Sequence, residues 1–551
     1  MITIITALYA EAKPFLSALP LKKNTSFSLL TLFEGEDIRL LITGVGELTA
    51  CKAVTSYLPL VPPKIDDLAF NIGVAGCLPP ASGTDSAAFP ALGSCHLAIK
   101  LSESSTGRTF YPDLLYPNSF PKAELFTVPT VFLAHSEQNL YPSVPPKSSS
   151  SFRSSVSALF QLIDMEAAGI YQAALPYLST ERIFFFKIIS DYGISQKESS
   201  DILPEALIAP HVPALLAFAK QVQNAVLNEP ANHPVIFSSI EQDAIERLFE
   251  QLPATASIRQ ELRHQLRYYK LCKNSVYELL SAFLSSLPSM LPHGKKQIKP
   301  YLDNLTEQIL GGNKKETFSY GLSSSDKPLH MTKKESSYLP FFSTLYIEEE
   351  LWEQRSLLIP KQLQIRINTT KEDPRTPITV IPIRHYKDVF NRSRQNFAIQ
   401  KQTPSLILAN NHGSLLYPGA PVCQSFGNRH FYYASNLMNC IYHCDYCYLQ
   451  GMYPSGHIVA FLNLENYFEE VSEILKKHPV YLCISYDTDL LALEPLFHFT
   501  EQWVRFAKQH PDLTLEIRTK SGNPELFSVL RHAWDEETAD TPHQLPERLI
   551  F

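Results

Sequence analysis

The 551-residue sequence predicts a mixed α/β protein in which two α/β units are joined by a helical spacer. Three observations carry this reading. Apolar runs at 1–8 (MITIITAL), 39–45 (RLLITGV) and 68–74 (LAFNIGV) each feed small residues or glycine, the pattern of buried parallel strands entering turns. Residues 238–310 read instead as helices with little else, as in IEQDAIERLFEQL and SVYELLSAFLSSL. Near Tyr346 an α/β alternation resumes and runs to the last residue. The expected divisions are 1–229, a spacer at 230–310, a polar linker at 311–337 (GGNKKETFSYGLSSSDKPLHMTKKESS), and regions 338–430 and 431–551.

Within the first division, a Pro/Ser-rich loop is expected at 144–157. It is followed by a helix in DMEAAGIYQAALPYL, a strand in RIFFFKIIS and a last helix at about 204–227.

Composition narrows the function classes. Apolar residues make up 45% and charged residues 19%, as in ordinary globular chains. A net charge of −7 argues against a protein that coats nucleic acid. No apolar run reaches the ~18 residues that span a bilayer, so no membrane partner is expected. The N-terminus has neither a basic segment nor a small-residue cleavage site, so no secretory signal is expected. Nine cysteines, three of them clustered, do not form a disulfide framework, and a reducing, cytoplasmic setting is expected.

That cluster is CIYHCDYCYLQ at 440–450, with spacing C-x3-C-x2-C. Thiolates of Cys440, Cys444 and Cys447 can face one loop and hold a soft metal centre. Two readings stand: zinc with His443 as fourth ligand, or an iron–sulfur cluster with one iron left open. The spacing resembles that of radical S-adenosylmethionine (SAM) enzymes. With IEEELWEQRSLLIPKQLQIRI upstream and VAFLNLENYFEEVSEIL downstream, residues 340–550 resemble the spore photoproduct lyase family.

The resemblance implies a [4Fe–4S] cluster on the three cysteines, SAM on the open iron, a partial radical SAM (β/α) barrel over 431–551, and repair of a DNA photolesion. It matches Tyr446 and Tyr448 to the family's hydrogen-relay tyrosines and Lys520 to a lysine near SAM. Read alone, the tyrosines pack around the loop and the lysine is a solvated strand end. Two departures stand out. Tyr486 occupies the position of the family's hydrogen-donating cysteine, with Cys483 three residues earlier and expected on the opposite strand face. The last residue falls in about the fourth of the family's six barrel strands.

In the first division, Glu11, Glu166 and Asp191 read individually as surface acids. Their contexts occur in a fixed order: Ala-Leu-Tyr-Ala-Glu11, Thr-Gly44-Val-Gly46, Asn71-Ile-Gly73-Val-Ala-Gly76, Asp-Met165-Glu166 and Ser190-Asp191. Together they resemble the purine nucleoside phosphorylase superfamily over about residues 1–225, with methylthioadenosine/S-adenosylhomocysteine nucleosidases the nearest pattern. The resemblance implies a purine nucleoside substrate and a homodimer. Asp191 would protonate purine N7 and Glu11 would activate water. Glu166 would accept both ribose hydroxyls, beside Met165 and Gly76.

A phosphate nucleophile needs cationic clamps, and the first hundred residues hold one arginine, mid-strand Arg39, so water is the expected nucleophile. Val74 stands where the nucleosidases carry a small polar residue, and no purine-binding aromatic loop is assigned within 126–150, so a futalosine-type substrate stays open.

A third feature, RHYKDVFNRSRQNFAIQK at 384–401, mixes Arg384, Lys387, Arg392, Arg394 and Lys401 with Tyr386, Phe390 and Phe397. It reads either as a grip on a nucleic-acid backbone or as an amphipathic helix with a solvated face. The leading expectation is a bifunctional enzyme. The alternatives are a nucleosidase, phosphorylase or futalosine hydrolase with an inactive radical SAM remnant, and a zinc-stabilised nucleic-acid-binding protein.

Overall fold

The computed structural model describes residues 1–27, 29–61, 67–78, 90–129, 160–192, 203–227, 238–252, 275–288, 300–305, 342–367, 378–419, 425–442, 449–521, 524–534 and 547–551, with isolated positions between. The 144–157 loop and the 311–337 linker lie outside them, as do His443, Tyr446 and Tyr448.

Two compact units emerge, and neither is contiguous in sequence. Met1–Pro230 belongs with Phe342–Ala409 and Pro454–His457; the second unit comprises Ala231–Phe341, Asn410–Tyr453 and Ile458–Phe551. Part of the C-terminal half thus folds with the N-terminal half.

The first unit is built on one large sheet. Its strands are β1 (Ile2–Thr6), β2 (Lys22–Asn24), β3 (Thr31–Glu34), β4 (Ile38–Ile42), β5 (Leu68–Cys77), β6 (Cys95–Glu103), β7 (Thr109–Phe110), β8 (Lys122–Thr127), β9 (Phe160–Asp164) and β10 (Ile183–Asp191). Strand β1 runs parallel to β4 and β5, and β5 parallel to β10. These are the apolar runs that the sequence marks as buried strands. Strand β10 also pairs with β6, β6 with β8, β8 with β9, and β9 returns to β5, so five strands close into a small barrel.

Helices α1 (Tyr9–Ala18), α2 (Glu47–Leu60) and α3 (Ala167–Ala174) follow β1, β4 and β9. Two apolar clusters cover opposite sheet faces: Phe184 and Phe186 pack with Phe15, Phe70 and Phe218, while Phe185 packs with Val54, Ile170 and Tyr171. The alternation is the two-residue repeat of a strand buried on both faces.

The later segments of this unit add parallel strands β11 (Thr344–Glu348), β12 (Thr379–Ile383) and β13 (Leu406–Ala409), with β11 central. Their attachment is polar. Arg392 donates to the Tyr111 carbonyl and to Asp113 Oδ1. Thr180 and Gln400 donate to Asp113 Oδ2 at 2.7 and 2.8 Å. His457 completes the cluster: its Nδ1 accepts from the Ser405 amide at 3.0 Å, which leaves Nε2–H to donate to Asp113 Oδ1 at 3.3 Å.

Within the basic–aromatic run at 384–401, two residues have structural roles. Arg392 is a buried structural cation paired with Asp113, and Phe390 is fully buried. The run is not one amphipathic helix either; it breaks into Lys387–Phe390 and Phe397–Gln402.

In the second unit, β14 (Leu416–Pro418) pairs antiparallel with β15 (Phe431–Ala434), and β16 (Leu437–Met438) with β17 (Ile458–Phe461). Strand β15 then pairs in parallel with β18 (Val480–Cys483), which is followed in order by β19 (Leu513–Glu516) and β20 (Leu549–Ile550). Helices Leu464–Leu475, Phe499–Gln509 and Pro524–Trp534 fill the intervals. Parallel neighbours in chain order joined by helices form an open β/α succession.

Candidate active site

Glu11 lies in the first turn of α1 and is buried, with 3% of its surface exposed. Its Oε2 accepts from the amides of Ala7 and Leu8 at 2.9 and 3.0 Å, and Oε1 from Val74 N at 2.9 Å. Leu8, at the helix start, has no side-chain oxygen, so Glu11 itself occupies the free N-terminal amides. It can reach β5 because residue 73 is glycine: a Cβ there would stand 2.7 Å from Oε1. Asn71 Nδ2 bonds the Ile5 carbonyl at 3.1 Å and ties β5 to β1 beneath the site.

Glu166 follows β9. Register sets Ile163 opposite Gly76 in antiparallel pairing, so the chain leaving β9 runs back along β5 toward Gly73. The buried Glu166 carboxyl accepts from Gly46 N at 2.9 Å. Gly46 holds φ +100°, backbone that side-chain-bearing residues rarely adopt. Burial raises the Glu166 pKa, Lys187 opposes the rise, and Asp164 and Glu11 add to it. Met165 is half-buried beside it.

Asp191 ends β10 directly opposite Gly76. A Cβ at Gly76 would come within 3.1 Å of Asp191 Oδ1. Ser190 Oγ donates to Asp191 Oδ2 at 2.7 Å and also contacts the Ala75 carbonyl at 3.2 Å. Asp191 is half-buried. Glu11, Glu166 and Asp191 are thus brought together along Gly73–Gly76.

Two charged residues here escaped the sequence reading. Lys187, inside the run FFFKII, is 2% exposed and pairs with Asp164 at 2.8 Å. Asp164 also accepts from Thr127 Oγ1 at 2.8 Å and from the Ala167 amide at 2.9 Å, fixing the start of α3. The available signal was one lysine in an apolar strand, a position that demands a partner. Nearby, burial and then Glu103 push the Glu47 carboxyl up to about 7. Arg39 bonds Glu34 at 3.0 Å, which occupies it away from any phosphate role.

In the second unit, Cys440 is buried while Cys444 and Cys447 are half-buried, and none of the three is in a disulfide. Cys440 N donates to Asn439 Oδ1 at 2.9 Å, and Cys447 N to the Cys444 carbonyl at 3.0 Å. Asn439 enters the loop at φ 70°. Tyr442 lies beside them, its phenol raised by burial, then by Asp489, Cys440 and Cys444. Lys520 is exposed; its amide, with Thr519 Oγ1, bonds the buried Asp489.

The expected separation of Cys483 and Tyr486 on opposite strand faces does not hold. Strand β18 ends at Cys483 and the chain bends; Tyr486 then stacks at 4.4 Å on Tyr433, the cross-strand partner of Cys483. Both side chains join one apolar cluster, and burial pushes the Cys483 thiol up to about 11. Glu494, His498 and Glu501 bring ligand atoms within 4.8 Å of one another, but Glu494 is already engaged with the Thr500 and Glu501 amides as a helix cap.

No protein-family model matches the chain, and no curated protein matches it significantly. Solved structures do match in part. A methylthioadenosine/S-adenosylhomocysteine nucleosidase from Neisseria meningitidis, complexed with methylthio-immucillin-A, is 14% identical, covering 42% of this chain and 99% of its own at TM-score 0.28. A nucleosidase of the same kind from Colwellia psychrerythraea, complexed with adenine, is 17% identical over 40% of this chain and 95% of its own at TM-score 0.30. Futalosine hydrolase of Helicobacter pylori is 13% identical over 39% and 97% at TM-score 0.30.

Proposed function

We propose that the first unit hydrolyses the N-glycosidic bond of a 5′-substituted purine nucleoside such as methylthioadenosine, S-adenosylhomocysteine, 5′-deoxyadenosine or futalosine. The observation that carries this reading is the gathering of Glu11, Glu166 and Asp191 along Gly73–Gly76, where the missing side chains of β5 leave room for carboxylates.

The three acids have different surroundings, and cleavage through an oxocarbenium-like state needs different roles. Glu11, held by three amides, is rigid and acceptor-only, suited to orient a water and take its proton. Glu166 has one oxygen on Gly46 N and further acceptor capacity for two ribose hydroxyls, with Met165 against the sugar. Asp191, half-buried and steadied by Ser190, can deliver a proton to the leaving purine. The test is release of free base from these four nucleosides without phosphate. Release is expected; strictly phosphate-dependent formation of ribose 1-phosphate would overturn the hydrolase assignment.

For the second unit, the reading is a radical SAM module. Three cysteines outside any disulfide, spaced C-x3-C-x2-C in one loop, suit a soft metal cluster, and Cys440, Cys444 and Cys447 would hold it. A [4Fe–4S] cluster with SAM would supply reductive cleavage to a carbon radical. This chain's own contribution would be the turn at Asn439, whose Oδ1 accepts from the Cys440 amide, and Asp489, which holds the backbone at Thr519–Lys520. About four irons per chain are expected after anaerobic reconstitution, and each Cys→Ala variant should lose them. Stoichiometric zinc that iron cannot displace would favour the zinc reading.

A further inference from the structure

We infer that Lys187 is a positioning residue for the proposed cleavage: from inside the small barrel it anchors Asp164, and with it the Met165–Glu166 turn whose carboxylate would accept the ribose hydroxyls. The inference rests on the nucleosidase reading and adds a residue to it.

The geometry is specific. Strand β5 lies between β9 and β10 and pairs with both. Lys187 stands directly opposite Gly73, so no β5 side chain blocks its path to Asp164 across that strand. Register partners share a sheet face, and the Cβ that Gly73 lacks would meet Glu11. Lys187 therefore points to the same face as the Glu11 carboxylate. Asp164 in turn bonds the Ala167 amide in the first turn of α3, the helix whose N-cap residue is Glu166.

Around Glu166 the charged and polar neighbours are Lys187 from β10, Asp164 from β9, Glu11 from α1 and the Gly46 amide ahead of α2. The Lys187 ammonium pairs directly with Asp164. Burial pulls the Lys187 pKa down, but Asp164 first, then Glu166 and Glu11 at longer range, raise it.

The sign of its effect follows. A carboxyl already raised by burial rises further when its nearby cation is removed. The acid limb of kcat/KM should therefore move to higher pH in Lys187→Met.

The experiment measures kcat/KM against pH from 5 to 9 for the nucleoside that the wild-type protein cleaves fastest among the four named above. Lys187→Met should shift the acid limb up by about one pH unit; the charge-neutral double variant Lys187→Met/Asp164→Asn should shift it less, because Asp164 itself raises the Glu166 pKa. At pH 6 both should raise KM, by up to about tenfold, while the affinity for free adenine, which has no ribose, stays unchanged. Lys187→Arg should restore the wild-type limb. If wild-type protein cleaves but folded Lys187→Met keeps the original limb, or the folded double variant keeps the wild-type KM, this assignment falls and the nucleosidase reading stands. Equal loss of adenine and nucleoside binding would also overturn it, since that marks a purely structural role. If wild-type protein cleaves none of the four, both fall.

Discussion

Two buried charge clusters sit in the first unit, and they are built on opposite principles. Around Asp113, two oxygens receive four donors, from Arg392, His457, Thr180 and Gln400. Burial alone would raise the Asp113 pKa, but Arg392, His457 and Thr180 outweigh it and hold the carboxyl well below the usual range. Charge and hydrogen bonds are balanced and solvent is shut out. Along Gly73–Gly76, by contrast, Lys187 pairs with Asp164 while Glu166 and Glu11 feel its charge at longer range, and Asp191 stays half-open. A saturated cluster holds structure together; a carboxylate-rich one with capacity to spare is equipped to meet a ligand.

The sharpest test of that contrast is Asp191→Asn. Removing the proton donor should lower kcat/KM by about 10²- to 10⁴-fold, with thermal stability changed by less than about 1 kcal/mol. A large stability loss would mean Asp191 belongs to the saturated class. The mirror experiment is Arg392→Ala, which leaves Asp113 as a buried unpaired charge. A loss of about 3–5 kcal/mol is expected, read as a fall in unfolding midpoint on the order of 10 °C. A variant that melts like wild type would show that Arg392 is dispensable.

Gly73→Ala probes the border between the two kinds of cluster. Its Cβ would press on Glu11 Oε1 at 2.7 Å, and the expected cost is about 1–3 kcal/mol together with lost activity. An intact rate would show that Glu11 need not sit where it does.

The smallest effect is a pH slope. Burial first, and Arg392 with it, keep the His457 pKa low despite Asp113. The unfolded chain then binds a proton below about pH 6.5 that the folded chain refuses. Stability should fall with acid by up to about 1.4 kcal/mol per pH unit in that window, and His457→Gln should flatten this part of the curve. An unchanged slope would assign the acid sensitivity elsewhere.

The sequence made the strands of the first sheet readable because uninterrupted apolar runs can only be buried. The carboxylates were readable from their glycine-bearing contexts. Lys187 was hidden because a lysine between Phe186 and Ile188 reads as a strand residue until its partner is known. The pairing of Asp113 with Arg392 was beyond local reading, since 279 residues separate them and the run that drew attention to Arg392 carries no sign of its partner. Tyr486 was misplaced because regular alternation was extended past Cys483, where the strand ends.

The wide spacing between partners has a consequence for synthesis. Asp113 is made long before His457, which lies 344 residues later, and the first unit cannot close until that residue has emerged. At roughly 5–20 residues per second, the span from Pro230 to His457 keeps a nascent N-terminal half waiting on the order of 10–50 s with its arginine socket uncovered. Slower translation between 231 and 457 would lengthen the time Asp113 waits for Arg392 and His457, without changing a single amino acid.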